Sequence, residues 1–126
     1  MFLAAASGLA AQTPRTLRGR LVQEAGAPKL SLRDGPPVLL EGDAQTMAVL
    51  KDERLAGAEL EVVGEYAGPN RFLIQPIHTR AMFVHRDGRK LMISYWCELC
   101  SIRTYSPGKC MCCQDETALD LKESFN

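Results

Sequence analysis

All five cysteines of this 126-residue chain fall within seventeen residues, and their spacing limits what that stretch can become. Cys97 and Cys100 bracket Glu98-Leu99. After nine residues comes Cys110-Met111-Cys112-Cys113. Two Cys-x-x-Cys pairs this close together bring four thiolates into one tetrahedral site, for zinc or less often for iron. Cu(I) is a further soft-metal alternative, because Cys-Met-Cys-Cys is rich in thiolate. The expected ligands are Cys97, Cys100, Cys110 and Cys113, with Cys112 as an alternative to Cys113 in the fourth position. Four protein ligands leave no open position for water or substrate, so the site is expected to be structural, not catalytic. A unit this small has little core of its own, and metal binding would supply its folding energy.

The first dozen residues, Met1 to Gln12, are small and apolar and lack a basic start. They read as the end of a secretory signal with cleavage near Ala11, which places the mature protein in the periplasm or outside the cell; a cytoplasmic protein with an Ala-rich terminus is the alternative. The run is too short to span a bilayer. Export would make disulfides the usual fate of cysteines, but an odd count and the adjacent pair Cys112-Cys113 favour metal. The apolar content of 46% over the whole chain supports a packed core. Net charge is zero, which excludes binding driven by overall charge. The charge is unevenly spread: residues 1–70 sum to −2, 71–110 to +5 and 111–126 to −3.

Residues 16–80 read as short strands around one helix. Leu17, Gly19 and Leu21 share a face; Leu30 and Leu32 mark a second strand; Val38 and Leu40 begin a third after the turn cluster Asp34-Gly35-Pro36-Pro37. Asp43 is an N-cap for a helix expected over Ala44–Arg54. Glu59–Tyr66 alternates most clearly, with Leu60, Val62, Gly64 and Tyr66 opposite a solvated face of Glu59, Glu61 and Glu65. Gly68-Pro69-Asn70 turns into a fifth strand over Arg71–Ile77. Three strands, a helix and two strands is the order of the OB-fold, and the stretch resembles a small bacterial OB-type barrel, with an SH3-like barrel as the rival. The fold class expected for the whole chain is mainly β: a five-stranded OB-like barrel with one helix, then a hairpin and cysteine unit over 81–126.

That second unit opens with Asp87-Gly88 between two apolar runs, a two-residue hairpin signal. The implied register sets Arg86 against Arg89 and His85 against Lys90, like charges face to face. The strand Leu91–Trp96 then enters Cys97. Here the sequence resembles a zinc ribbon, with Cys97 and Cys100 matching one knuckle, Cys110 and Cys113 the other, and Ser106-Pro107-Gly108 turning between them. The gap is shorter than is common in that family, and neither knuckle has the frequent glycine after its second cysteine. Alternation of Thr117, Leu119 and Leu121 allows a closing strand; a short helix capped by Asp115 is the alternative. Trp96-Cys97-Glu98-Leu99-Cys100 is also similar to the Trp-Cys-x-x-Cys of thioredoxin-like oxidoreductases. Only 26 residues follow Cys100, however, and the chain before it is β, so that fold does not fit.

No catalytic grouping stands out, and His78 and His85 are expected to be ordinary hydrogen-bonded histidines. The leading expectation is a non-enzymatic binding or assembly module that meets a protein or other macromolecule, with Arg86, Arg89, Lys90, Tyr95 and Trp96 as possible partner contacts. The alternatives are single-stranded nucleic-acid binding, with Phe72, Phe83 and Tyr105 interleaved among Arg71, Arg80 and Arg103, and thiol-redox or soft-metal handling in an exported protein.

Overall fold

The computed structural model describes residues 14–123; the apolar stretch read as the end of an export signal lies outside them. Ten elements carry the fold: β1 (Arg15–Glu24), β2 (Ala27–Ser31), β3 (Val38–Glu41), α1 (Ala44–Leu50), β4 (Glu59–Gly68), β5 (Arg71–Ile74), β6 (Met82–Arg86), β7 (Arg89–Cys97), β8 (Ile102–Thr104) and β9 (Ala118–Lys122). Two short 3-10 turns, Glu53–Leu55 and His78–Arg80, lie between them.

The first five strands close a barrel. β1 pairs with β2, β2 with β3, β3 with β5 in parallel, β5 with β4, and β4 returns to β1. The alternation read from sequence decides which side chains fill it. Leu21, Leu30, Leu40, Leu60, Val62 and Phe72 are wholly buried, each worth about 1.5–3 kcal/mol in removed apolar surface. α1 caps the barrel with Val49 and Leu50. Gly64 lets β4 cross β5 closely: a Cβ there would overlap the Leu73 carbonyl oxygen and stand 3.0 Å from Ile74 Cα.

α1 starts where expected, with the Asp43 carboxylate accepting from Thr46 N–H at 2.9 Å, but it ends at Leu50 instead of Arg54. Asp52 is extended, and its side chain caps a separate 3-10 turn through Arg54 N–H at 3.0 Å. β5 likewise stops at Ile74, short of Ile77. Tyr66, at the mouth of the barrel, is 40% exposed and meets Phe72 edge-on at 5.3 Å.

β6 pairs with β4, so the β6–β7 hairpin prolongs the barrel's sheet. Asp87 (φ 54°) and Gly88 (φ 77°) make its turn, and Arg86 faces Arg89 and His85 faces Lys90 as the spacing predicts. The expected repulsion is offset by Glu61. Its carboxylate meets His85 Nε2 at 2.7 Å and Lys90 Nζ at 3.1 Å, so Glu61 is not part of a solvated face. Burial raises its pKa, but the His85 and Lys90 contacts outweigh that and hold it below the ordinary value. The last described element is a strand, not a helix: β9 pairs with β7. Among the described residues no helix is long and apolar enough to cross a membrane.

Candidate metal centre

β7 delivers Cys97 from a braced position. Ser94 is buried and its hydroxyl donates to the Asp120 carbonyl of β9 at 2.7 Å. Arg103 of β8 donates to Ser94 Oγ and Asp120 Oδ2, both at 2.7 Å, and its guanidinium covers the Trp96 ring at 4.9 Å. Three strands thus fix the backbone from which the first knuckle springs.

The two knuckles have the same backbone design. In the first, Ser101 N–H donates to the Cys97 carbonyl at 2.8 Å, and Cys100 N–H points at Cys97 Sγ at 3.4 Å. In the second, Gln114 N–H donates to the Cys110 carbonyl at 2.9 Å, and Cys112 N–H points at Cys110 Sγ at 3.4 Å. The residue after each second cysteine is left-handed: Ser101 at φ 55° and Gln114 at φ 68°. Glycine would hold that conformation without a Cβ penalty. The missing glycines therefore change the residue and keep the shape.

The loop between the knuckles is anchored to the barrel. His78 Nε2 donates to the Tyr105 carbonyl at 2.5 Å. Arg54 Nη1 donates to the Thr117 carbonyl at 2.8 Å, lies over the Tyr95 ring at 5.3 Å, and is paired to Asp52 at 2.9 Å. Thr117 N–H and Oγ1 both reach the Gly108 carbonyl at 3.0 Å, and Cys110 N–H donates to the Asp115 carbonyl at 2.7 Å. Asp115 thus closes a small turn through its backbone and caps no helix.

These restraints bring the sulfurs of Cys97, Cys100, Cys110 and Cys113 within 4.8 Å of one another, with Cys97 and Cys113 3.5 Å apart. A tetrahedron with metal–sulfur bonds of 2.3 Å has sulfur–sulfur edges of about 3.8 Å, so the four thiols are placed to hold a metal ion. Cys97 and Cys110 are buried, and Cys100 and Cys113 half-buried. Cys112 is exposed and outside the four-sulfur group, with its N–H pointing at Cys110 Sγ and its thiol beside Cys100. Backbone N–H groups of Cys113 and Cys112, with the neighbouring thiols, pull Cys110 down to about 7. The Cys112 thiol, burial and the remaining thiols push Cys100 up. A bound cation would favour the thiolate form of each sulfur.

The sites expected from sequence divide. The four ligands converge. Arg86, Arg89 and Lys90 sit at the hairpin tip, with Arg89 3.6 Å from Glu123 and Lys90 over the Phe83 ring at 4.4 Å. Trp96 is half-buried under Arg103. Tyr95, by contrast, is fully buried in the core, because its place on β7 shares the inward face with Ile93 and Cys97. Phe72 is likewise internal, and Arg71 is paired with Glu41 at 3.1 Å. Neither histidine joins the sulfurs. Sequence reasoning missed Ser101, Gln114 and Arg54, and it read His78 as a hydrogen-bonded histidine without its tie to the cysteine loop. Only the first two had a signal, their place directly after a Cys-x-x-Cys. No protein-family model matches the chain, and neither a curated protein nor a solved structure matches it.

Proposed function

We propose that this chain is a non-enzymatic binding or assembly module in which zinc, held by Cys97, Cys100, Cys110 and Cys113, locks a zinc-ribbon-like unit (residues 81–126) onto an OB-type barrel (residues 16–80). The observation that carries this is the pair of equivalent knuckles converging four sulfurs with no open position. The barrel order β1-β2-β3-β5-β4, with its helix between the third and fourth strands, supports the OB-type reading. Zinc suits the site better than iron or Cu(I), because a closed four-thiolate tetrahedron serves an ion with no geometric preference and no redox role. The ligand is a protein or other macromolecule, met in the periplasm or outside the cell. Cys97→Ser and Cys110→Ser test the reading: each should abolish stoichiometric zinc and unfold the 97–117 segment. Variants that stay folded and keep their metal would contradict it.

A further inference from the structure

The outer surface of β1 and β2 carries a groove of about 650 Å³, lined by Arg18, Arg20, Arg33, Ser31, Leu32 and Glu59 among others. Its charge follows from strand alternation. Leu17 and Leu21 face the core, so Arg18 and Arg20 must face outward. Arg20 stands opposite Ser31 on one neighbouring strand and Glu59 on the other. Arg33 lies two residues past Ser31, just beyond the end of β2.

Three guanidinium groups thus share a groove with one carboxylate. That carboxylate is taken: Arg18 Nε meets Glu59 Oε2 at 2.6 Å. Arg20 and Arg33 have no hydrogen-bond or ion-pair partner among the described residues. At the hairpin tip, where the sequence concentrates positive charge, Lys90 and Arg89 face Glu61 and Glu123, and Arg86 alone of the three has no partner among the described residues. Arg20 and Arg33 lie within residues 1–70, whose summed charge is negative, which is why composition hides them.

We propose that this groove binds a phosphate group carried on an organic ligand, gripped by Arg20 and Arg33 with the Ser31 hydroxyl as a further donor. Planar guanidinium forks match phosphate oxygens in pairs, which a point-charge lysine does not. The volume exceeds that of a bare ion and falls in the range of small-ligand pockets, about 300–1,000 Å³. Half-buried Leu32 offers apolar surface to the remainder of the ligand. The shared chemistry is a phosphate ester, whether a single-strand backbone or a mononucleotide. None of the cysteines takes part, so the inference does not depend on the metal site.

Binding of the full chain to a labelled short oligothymidylate and to thymidine 5′-monophosphate, both at low salt, tests it. Arg20→Ala with Arg33→Ala should weaken binding about tenfold or more. On the oligonucleotide the double variant should also flatten the salt slope by roughly 1.4, two contacts at about 0.7 each. Glu59→Gln, which frees Arg18, should tighten binding, whereas Glu65→Gln, the same charge change outside the groove, should leave it within about twofold. Arg86→Ala at the hairpin tip should do the same. Binding of the oligonucleotide alone assigns the strand backbone, and binding of the mononucleotide assigns a small ester; either supports the proposal. Failure of both probes to bind, or equal weakening by Arg86→Ala and the double variant, overturns it.

Discussion

Replacing Ser101 and Gln114 with glycine should strengthen the metal site, although neither residue supplies a ligand. Both side chains are exposed, so truncation removes little packing. Both backbones are left-handed, at φ 55° and 68°, where an L-residue with a Cβ is disfavoured by about 1–2 kcal/mol. Glycine removes that penalty but gives up about 0.5–1 kcal/mol through the greater freedom of the unfolded chain. The balance is a gain of about 0.5–1 kcal/mol per site, and about 1–2 kcal/mol for the pair if the knuckles act independently. Under the proposed zinc-coupled folding of the unit, that gain should appear as affinity: about two- to fivefold tighter zinc per substitution by competition with a chromogenic chelator. Ser101→Ala should be close to neutral, and Ser101→Val should weaken binding, since a β-branched residue is worst placed in this conformation. Glycine variants that bind zinc more weakly than the parent, or a valine variant as good as serine, would refute the matched-knuckle geometry.

Other consequences follow from the packing. Gly64→Ala should cost about 3 kcal/mol or more in urea unfolding, because its Cβ would meet only backbone atoms of β5 and the barrel would have to open; a loss below about 1 kcal/mol would contradict the close crossing. Glu61→Gln should cost about 1 kcal/mol near neutral pH. Its carboxyl is held below the ordinary 4.5, so its contribution is complete above that pH and is lost as pH falls through the lowered value; the variant should show a flatter stability profile in that acidic window. Arg54→Met should leave Asp52 buried without its partner and release the Thr117 carbonyl, lowering stability by about 1–3 kcal/mol and weakening zinc binding, read by chelator competition.

Much of the barrel is legible in the chain because one face of each strand is buried. Leu17/Leu21, Leu30, Val38/Leu40 and Leu60/Val62 repeat at period two, and Asp43 and Asp87-Gly88 mark boundaries through local backbone chemistry. Boundaries set by tertiary contacts were not legible. α1 stops at Leu50 because Asp52 turns back to Arg54, and Arg54 is held in turn by the Thr117 carbonyl from far along the chain. Glu61 reads as solvated until β6 and β7 pack beside β4 and bring His85 and Lys90 to it. Tyr95 reads as a possible partner contact next to Trp96, but strand parity sends adjacent residues to opposite faces, and the face that carries Tyr95 joins the core with Arg54 over its ring. The four cysteines that converge were readable from spacing alone. What spacing left open was Cys112 against Cys113, since that depends on which sulfur the Lys109–Glu116 turn carries inward. Arg54 and His78, which tie the loop to the barrel from far along the chain, had no local signature.

The most direct test of the zinc-locked site is metal content and thiol count on protein purified without added metal. One zinc per chain with a single reactive thiol, mapped to Cys112, is the predicted result. Metal-free protein with its cysteines paired in disulfides would contradict it.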